Sequence, residues 1–551
     1  MREVYRFNGG VHPAEHKSES ASKPIHPAFI PKKLIVPLRQ HIGQPAKPIA
    51  AVGEHVLKGQ MIGKAEGYVS TAIHAPTSGT VTAISMQTVP HPSGLPDLCI
   101  TIESDGKDEW IEHYPIDYLN LDPSALRDQL RDMGLAGLGG AVFPSFIKLD
   151  PGTPPAIRTL ILNGGECEPW ITCDDRLMQE RAEEILQGAI VMHHMLQSTE
   201  VLAGIEDNKP AAIDAMTVAA KALPFDVEVV TMPTIYPGGG GKQIVKTLLN
   251  LDTPSGGRST DIGVQVFNVG TAYALARAVF HGEPLISRLV TVTGHVLRPQ
   301  NFEVLIGTPM DELMIHAGER DGLTGIIMGG PMMGIQVRSP HVPVVKATNC
   351  LLAMSDELLP PRPKPMPCIR CGACAQACPA DLQPQDLYWF AKSRNFGRAQ
   401  ELHLFDCIEC GCCTYVCPSH IPLVDFYHFA KSEIWAREKE KNAADLARQR
   451  HEFRLFREER EKHERAEKHA AKFQSKKEDL AAAGTSIDAE AAKKKALIDA
   501  ALARAKAKKE GVTPKNTESL TDEQRREIQE IEARRAKIRE IAKLPVEPEQ
   551  H

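Results

Sequence analysis

Eight of the thirteen cysteines in this chain fall into two copies of one spacing, and no other feature restricts its folding as strongly. The first copy runs Cys368-Ile-Arg-Cys371-Gly-Ala-Cys374-Ala-Gln-Ala-Cys378-Pro379, and the second Cys407-Ile-Glu-Cys410-Gly-Cys-Cys413-Thr-Tyr-Val-Cys417-Pro418. Each reads C-x2-C-x2-C-x3-C-P, the pattern in which three closely spaced thiolates hold one 4Fe-4S cluster while the fourth reaches over to another. Two copies therefore specify two clusters. Cys368, Cys371, Cys374 and Cys417 are expected on one, and Cys407, Cys410, Cys413 and Cys378 on the other. Gly372 and Gly411 let the backbone pass close to the sulfides, and the prolines after the fourth cysteines stop the short helices that start there. Structural zinc is the competing reading, but its paired knuckles leave a longer gap before the second pair. Disulfides would imply export, whereas Met1-Arg-Glu-Val-Tyr runs into polar sequence without a secretory signal, so reducing cytosol is expected. Cys412 reads as a bystander beside a ligand. Cys99, Cys167, Cys173 and Cys350 lack ligand spacing and read as buried free thiols.

A chain of 551 residues exceeds one core, so several domains are expected. The net charge of -6 gives no case for nucleic acid. Nowhere do about 18 apolar residues run together, so membrane contact is expected to be peripheral. The expected fold class is multidomain α/β. Residues 1–30 read as an extended N-terminal arm. Residues 31–110 resemble the biotinyl or lipoyl carrier fold, a flattened β-sandwich, but Glu66-Gly-Tyr-Val-Ser-Thr-Ala stands where carriers place their modified lysine, so the domain reads as structural. Residues 111–280 alternate strand and helix patterns in a Rossmann-like manner, with Ala156-Ile-Arg-Thr-Leu-Ile-Leu-Asn as a buried strand and Arg181 to Leu196 as a helix. Residues 281–340 return to short strands, as in a β-grasp module of the soluble ligand-binding type. A proline-rich linker over 341–367 leads to a ferredoxin-type domain at 368–435. The Ala/Lys/Arg/Glu-rich tail, 436–551, reads as solvated helices or disorder, broken at Gly484-Thr-Ser and Gly511-Val-Thr-Pro-Lys-Asn.

Three constellations carry further chemistry. Gly134-Leu-Ala-Gly137-Leu-Gly139-Gly140-Ala141-Val-Phe143-Pro144-Ser-Phe-Ile-Lys148 gathers glycines before a cation, so backbone N–H groups could close on a phosphate or a flat ring, or the segment could be a tight packing turn. Tyr236-Pro-Gly238-Gly239-Gly240-Gly241-Lys242-Gln243 lacks the first glycine of a Walker A loop and has Gln243 where a magnesium-holding hydroxyl belongs, so ATP is rejected. Asn163-Gly-Gly-Glu166-Cys-Glu168-Pro169 follows the buried strand, at the end where α/β sheets bind ligands.

In this order, the pieces resemble the flavoprotein subunit of respiratory complex I and its relatives, which use G-R-G-G-A-G-F-P-x-x-x-K and N-x-x-E-x-E-P. The resemblance implies noncovalent FMN held by Gly137, Gly139, Gly140, Lys148 and Asn163, with NADH stacking near Phe143. It puts Glu166 and Glu168 in catalytic positions and Gly239, Gly240 and Lys242 among the cofactor-binding residues. Two departures stand out: a two-cluster unit replaces the single C-terminal cluster, and the second glycine loop replaces the C-G-E-E segment of the nucleotide site. Phe7-Asn-Gly-Gly-Val-His-Pro-Ala-Glu-His-Lys, the carrier-like domain, the twin motif and the tail together resemble the RnfC family, from the Rnf ion-translocating oxidoreductase (electron transport) complexes, over residues 5 to about 435. That implies a peripheral subunit on the cytoplasmic side of a bacterial inner membrane, exchanging a hydride between NADH and FMN and single electrons through two 4Fe-4S clusters. Other subunits of the complex, and ferredoxin or a similar carrier, are the implied partners. A soluble diaphorase subunit, or an electron-wire scaffold without its own NADH site, is the alternative.

Overall fold

Leu160, Ile161 and Leu162 are fully buried, as expected of a parallel strand covered on both faces. In the computed structural model, which describes residues 2–150, 156–482, 487–510 and 522–541, they form the middle of β1 (Thr159–Gly164). β1 pairs in parallel with β2 (Glu200–Glu206), β2 with β3 (Val227–Met232), and the other edge of β1 takes β4 (Val264–Asn268). The order β3-β2-β1-β4 reverses direction between β1 and β4, where the carboxyl ends of the strands open a crevice. Helices Ala182–Leu196 and Val269–His281 share one core with β1. They approach so closely that a Cβ on Gly188 would lie 1.9 Å from the Ala272 carbonyl oxygen.

The preceding segment alternates buried and exposed residues, as at Leu34 and Val36, and closes two small antiparallel sheets around Val56, Ile62, Ile73, Val81, Ile100 and Ile102. After the parallel sheet comes a six-stranded sheet carrying helix Met310–Ala317. Its boundaries correct the sequence reading twice. Cys350–Met354, inside the expected 341–367 linker, is a buried strand between Ser287–Gly294 and Gly325–Met328. His26–Pro27 of the N-terminal arm adds an edge strand beside Phe302 and Glu303.

The cysteine-bearing unit packs Leu387, Tyr388, Phe396, Leu404 and Tyr427 into a core of its own. Its short helices, Ala373–Gln376 and Cys412–Tyr415, begin after left-handed Gly372 and Gly411 (φ +79° and +80°). They thus start before the fourth cysteines rather than at them, and Pro379 and Pro418 follow their ends.

Helix Leu423–Ala482 buries Leu423, Tyr427, Ala430 and Ile434 in that core. The first compact unit ends at Glu438. In the second, from Lys439, the long helix continues with exposed ion pairs such as Arg454 with Glu458 and Arg460 with Glu464, and helices Ile487–Glu510 and Asp522–Ile541 follow. The breaks expected at 484–486 and 511–516 lie outside the described residues.

Candidate functional site

Asn163, next to last in β1, pairs in register with Asn268, the last residue of β4, at the crevice. Asn268 caps the helix behind it, its Oδ1 accepting from Gly270 N at 2.9 Å, while its Nδ2 donates to Asp174 at 2.6 Å. The first glycine loop is folded over this pair. Leu138 N donates to Thr271 Oγ1 at 2.9 Å and Gly137 N to the Phe143 carbonyl at 2.8 Å. A Cβ on Gly139 would stand 3.0 Å from that of Asn268, so no side chain fits without displacement. Gly140 has φ +105° and nothing within 4 Å of where a Cβ would be, which leaves an exposed, open cradle. At the end of the same segment the Lys148 ammonium donates to the Val266 carbonyl and lies 4.4 Å over the Phe267 ring. Burial, unrelieved by any ion pair among the described residues, pushes Lys148 down to about 8.

The two carboxylates expected to act in catalysis are engaged in holding the fold. Glu166 is buried, accepts from Asp174 N at 2.8 Å and Asp175 N at 3.3 Å, and so caps helix Cys173–Glu180; burial pushes it up to about 7. Glu168 accepts from Met332 N at 2.7 Å and Met333 N at 3.0 Å, tying the flavin-type module to the following sheet; burial raises its pKa as well. The second glycine loop packs on the first motif. Asn163 Nδ2 donates to the Gly239 carbonyl at 2.8 Å, and a Cβ on Gly239 would lie 2.6 Å from the Gly165 carbonyl oxygen. One on Gly240 would meet Gln243 Oε1 at 2.4 Å. Lys242 pairs with Asp406 of the cysteine-bearing unit at 3.5 Å, a docking contact where a cofactor contact was expected.

The cysteines gather in two cavities. One is lined by Cys368, Cys371, Cys374 and Cys417, the other by Cys378, Cys407, Cys410 and Cys413. Four thiols around each is the donor set of a cubane cluster, and each cavity draws its fourth cysteine from the opposite motif. Cys371 is exposed, whereas Cys410 and Cys413 are buried. Buried Lys431 donates to the Cys407 carbonyl and to Glu409, both at 2.7 Å, placing a cation beside the second cavity.

That second cavity adjoins the second glycine loop through Tyr236, which opens that loop, and Cys412, which the sequence reads as a bystander. Tyr236 is buried and donates its phenol to the Cys410 carbonyl at 2.6 Å. Cys412, fully buried, packs in the same cluster as Tyr236. The N-terminal arm threads the joint: Val11 and Tyr236 exchange backbone hydrogen bonds, Gly10 N donates to the Ala377 carbonyl at 3.1 Å, and Lys17 donates to the Glu168 and Ile171 carbonyls. The one signal of this in the sequence is Gly9-Gly10. A Cβ on Gly9 would fall 2.6 Å from the Ala377 carbonyl oxygen, beside Cys378.

Comparison with known proteins agrees with this architecture. Four family models match, described as the RnfC barrel sandwich hybrid domain (residues 5–107), the Nuo51 FMN-binding domain (130–277), the SLBB domain (289–336) and the 4Fe-4S dicluster domain (367–421). The C subunit of the ion-translocating oxidoreductase complex from Klebsiella pneumoniae (strain 342) is 45% identical over 98% of this chain and 71% of its own length. The chain belongs to this family, the C subunits of ion-translocating oxidoreductase complexes. A second member, from Serratia proteamaculans (strain 568), is 45% identical over 73% of this chain and 57% of its own length. The chain thus spans 57% and 71% of the lengths of these two curated relatives. Among solved structures, the NAD+-reducing NiFe hydrogenase in its H2-reduced state matches with a TM-score of 0.40 and 17% identity, over 54% of this chain and 61% of that one. This family member therefore carries a complex I type domain for FMN and a dicluster domain for iron-sulfur centres.

Proposed function

We propose that this chain exchanges a hydride between NADH and FMN and passes single electrons through two 4Fe-4S clusters. The observation that carries the reading is the joint at Tyr236, where the second glycine loop and the backbone of Cys410 are held together by one phenol. Bound at these sites, FMN supplies the conversion between a two-electron hydride and single electrons, and the clusters supply one-electron carriage. Gly137, Gly139 and Gly140 keep the cradle open at the switch point. Lys148 offers an ammonium bonded to one carbonyl and one ring, which suits the flavin phosphate. Asn163 fixes the second glycine loop, and Glu166 and Glu168 fix the helix and the neighbouring sheet on which the site is built. Phe143, whose carbonyl accepts from Gly137 N and so closes the first glycine loop, is assigned to the nicotinamide by the family resemblance alone.

The relatives' membership of ion-translocating complexes supports placing the chain as a peripheral subunit on the cytoplasmic side of a bacterial inner membrane, with other subunits of such a complex and ferredoxin or a similar carrier as partners. No helix among the described residues is long and apolar enough to cross a membrane, which is consistent with ion movement by partner chains. The engagement of Glu168 by backbone amides favours a second reading, an electron wire without its own NADH site. One experiment separates them. In purified, reconstituted protein, NADH should bleach the flavin absorption and then that of the clusters. Flavin that stays oxidised under NADH, with clusters that dithionite still reduces, would establish the wire and end the hydride reading.

A further inference from the structure

The hairpin tip at which carrier domains bear their modified lysine is immobilised here. Arg131, from the flavin-type module, donates to the Gly67 carbonyl and to the Ser70 carbonyl at 3.1 Å. Gln44 N donates to the Val69 carbonyl at 3.0 Å, and Ser70 and Thr71 are fully buried. The adjacent loop is fixed to the first glycine loop itself, since Ile42 N donates to the Val142 carbonyl at 3.3 Å. Two large side chains on these pinned tips nevertheless stand in solvent. Tyr68 is 68% exposed and Ile42 53% exposed. Burying apolar surface is favourable, so folding alone gives no reason to hold two such side chains out on a rigid support. Tyr68 touches the edge of Phe146, at a ring separation of 6.3 Å, in the helix that follows the glycine loop. Arg131 lies 5.5 Å over the same Phe146 ring and brings a positive charge to the tip.

We propose that Tyr68 and Ile42, on two loops joined by the Gln44–Val69 hydrogen bond, form the subsite that receives the adenine ring of NAD(H), and that Arg131 faces the pyrophosphate. The proposal rests on the NADH and FMN reading above. With the nicotinamide over the open cradle at Gly140, the exposed lip Gly139-Gly140-Ala141, which Val142 joins to the Ile42 loop, offers the rest of the dinucleotide a path toward the hairpin tip. A purine there needs a flat apolar partner that is already ordered. A tyrosine on a pinned hairpin provides one at little entropic cost, and bases stack favourably on such rings.

The test compares NADH with reduced nicotinamide mononucleotide, which carries the same hydride but lacks adenine, using the reconstituted full chain and ferricyanide as acceptor. Tyr68→Ala should raise KM for NADH about tenfold while leaving KM for the mononucleotide where it was, and Tyr68→Phe should behave as the parent chain does. An unmoved KM for NADH, an equal rise for both donors, or loss of flavin from Tyr68→Ala would each overturn the subsite. In the last case the tip would be a structural brace. A parent chain that oxidises neither donor would instead strike the hydride reading, and the subsite with it.

Discussion

At Lys148 the desolvation of one ammonium sets how flavin binding should respond to pH. Burial pushes the group down to about 8, against 10.5 ordinarily, and a phosphate beside it would stabilise the charged form and raise it again. Above about pH 8 the flavin-free protein would lose the proton that binding must restore, so affinity for FMN should weaken as pH rises, by up to about tenfold per pH unit. Fluorescence quenching of FMN between about pH 7 and about pH 9.5 measures this, and Lys148→Arg should flatten the slope because guanidinium stays charged throughout. A flat profile for the unmodified chain would remove Lys148 from the phosphate. The same region yields a second expectation. Gly140→Val fills the open cradle at a backbone angle of +105° that disfavours side chains, and Lys148→Glu sets a carboxylate against the Val266 carbonyl and the phosphate. Both variants should lose flavin while iron content stays near that of the parent. Full flavin occupancy in both would reduce the loop to a packing turn.

Among the elements, each of the two cysteine cavities takes one cysteine from the other motif. Cys378 lines the cavity of Cys407, Cys410 and Cys413, and its Sγ accepts from Leu382 N at 3.4 Å. Cys378→Ala should therefore damage that cluster and spare the one on Cys368, Cys371, Cys374 and Cys417, as read by EPR of the reduced protein. Selective loss of the Cys368 cluster would refute the exchange. Such pairings are legible in sequence because they are written in short spacings, as is the carrier-like alternation at Leu34 and Val36. The joint is not legible, since its partners lie far apart along the chain: Gly10 with Ala377, Val11 with Tyr236, Lys17 with Glu168, and Lys242 with Asp406. Nothing local in N-G-G-E-C-E-P distinguishes a carboxylate that meets substrate from one that caps a helix. That difference depends on where Asp174 N and Met332 N arrive. Cys350-Leu-Leu-Ala-Met escapes for another reason. It is a five-residue apolar run without alternation, and periodicity alone cannot assign such a run.

Across the whole molecule, apolar burial divides the chain near Glu438. Each module before that point has its own buried cluster, and the described side chains after it are almost all exposed, including Phe453, Phe456, Phe473, Leu497 and Leu502. Helices of this kind are stabilised by local propensity and by exposed i,i+4 pairs worth about 0.3–0.5 kcal/mol each, without a core that could enclose a cofactor. A chain ending at Ala436 keeps Tyr427, Ala430 and Ile434, the turns of the long helix that complete the cysteine-bearing unit. It should therefore retain flavin, iron and NADH oxidation with an artificial acceptor. The segment removed includes the basic run Lys493, Lys494, Lys495, Arg504, Lys506, Lys508 and Lys509. Close to an anionic membrane each such residue contributes about 1 kcal/mol, an attraction that salt screens within a Debye length. The truncated chain should accordingly leave membranes at lower salt than the full chain, measured by washing isolated membranes through a salt series. Loss of flavin or clusters on truncation would show that the boundary is misplaced, and an unchanged salt midpoint would exclude the tail from membrane attachment.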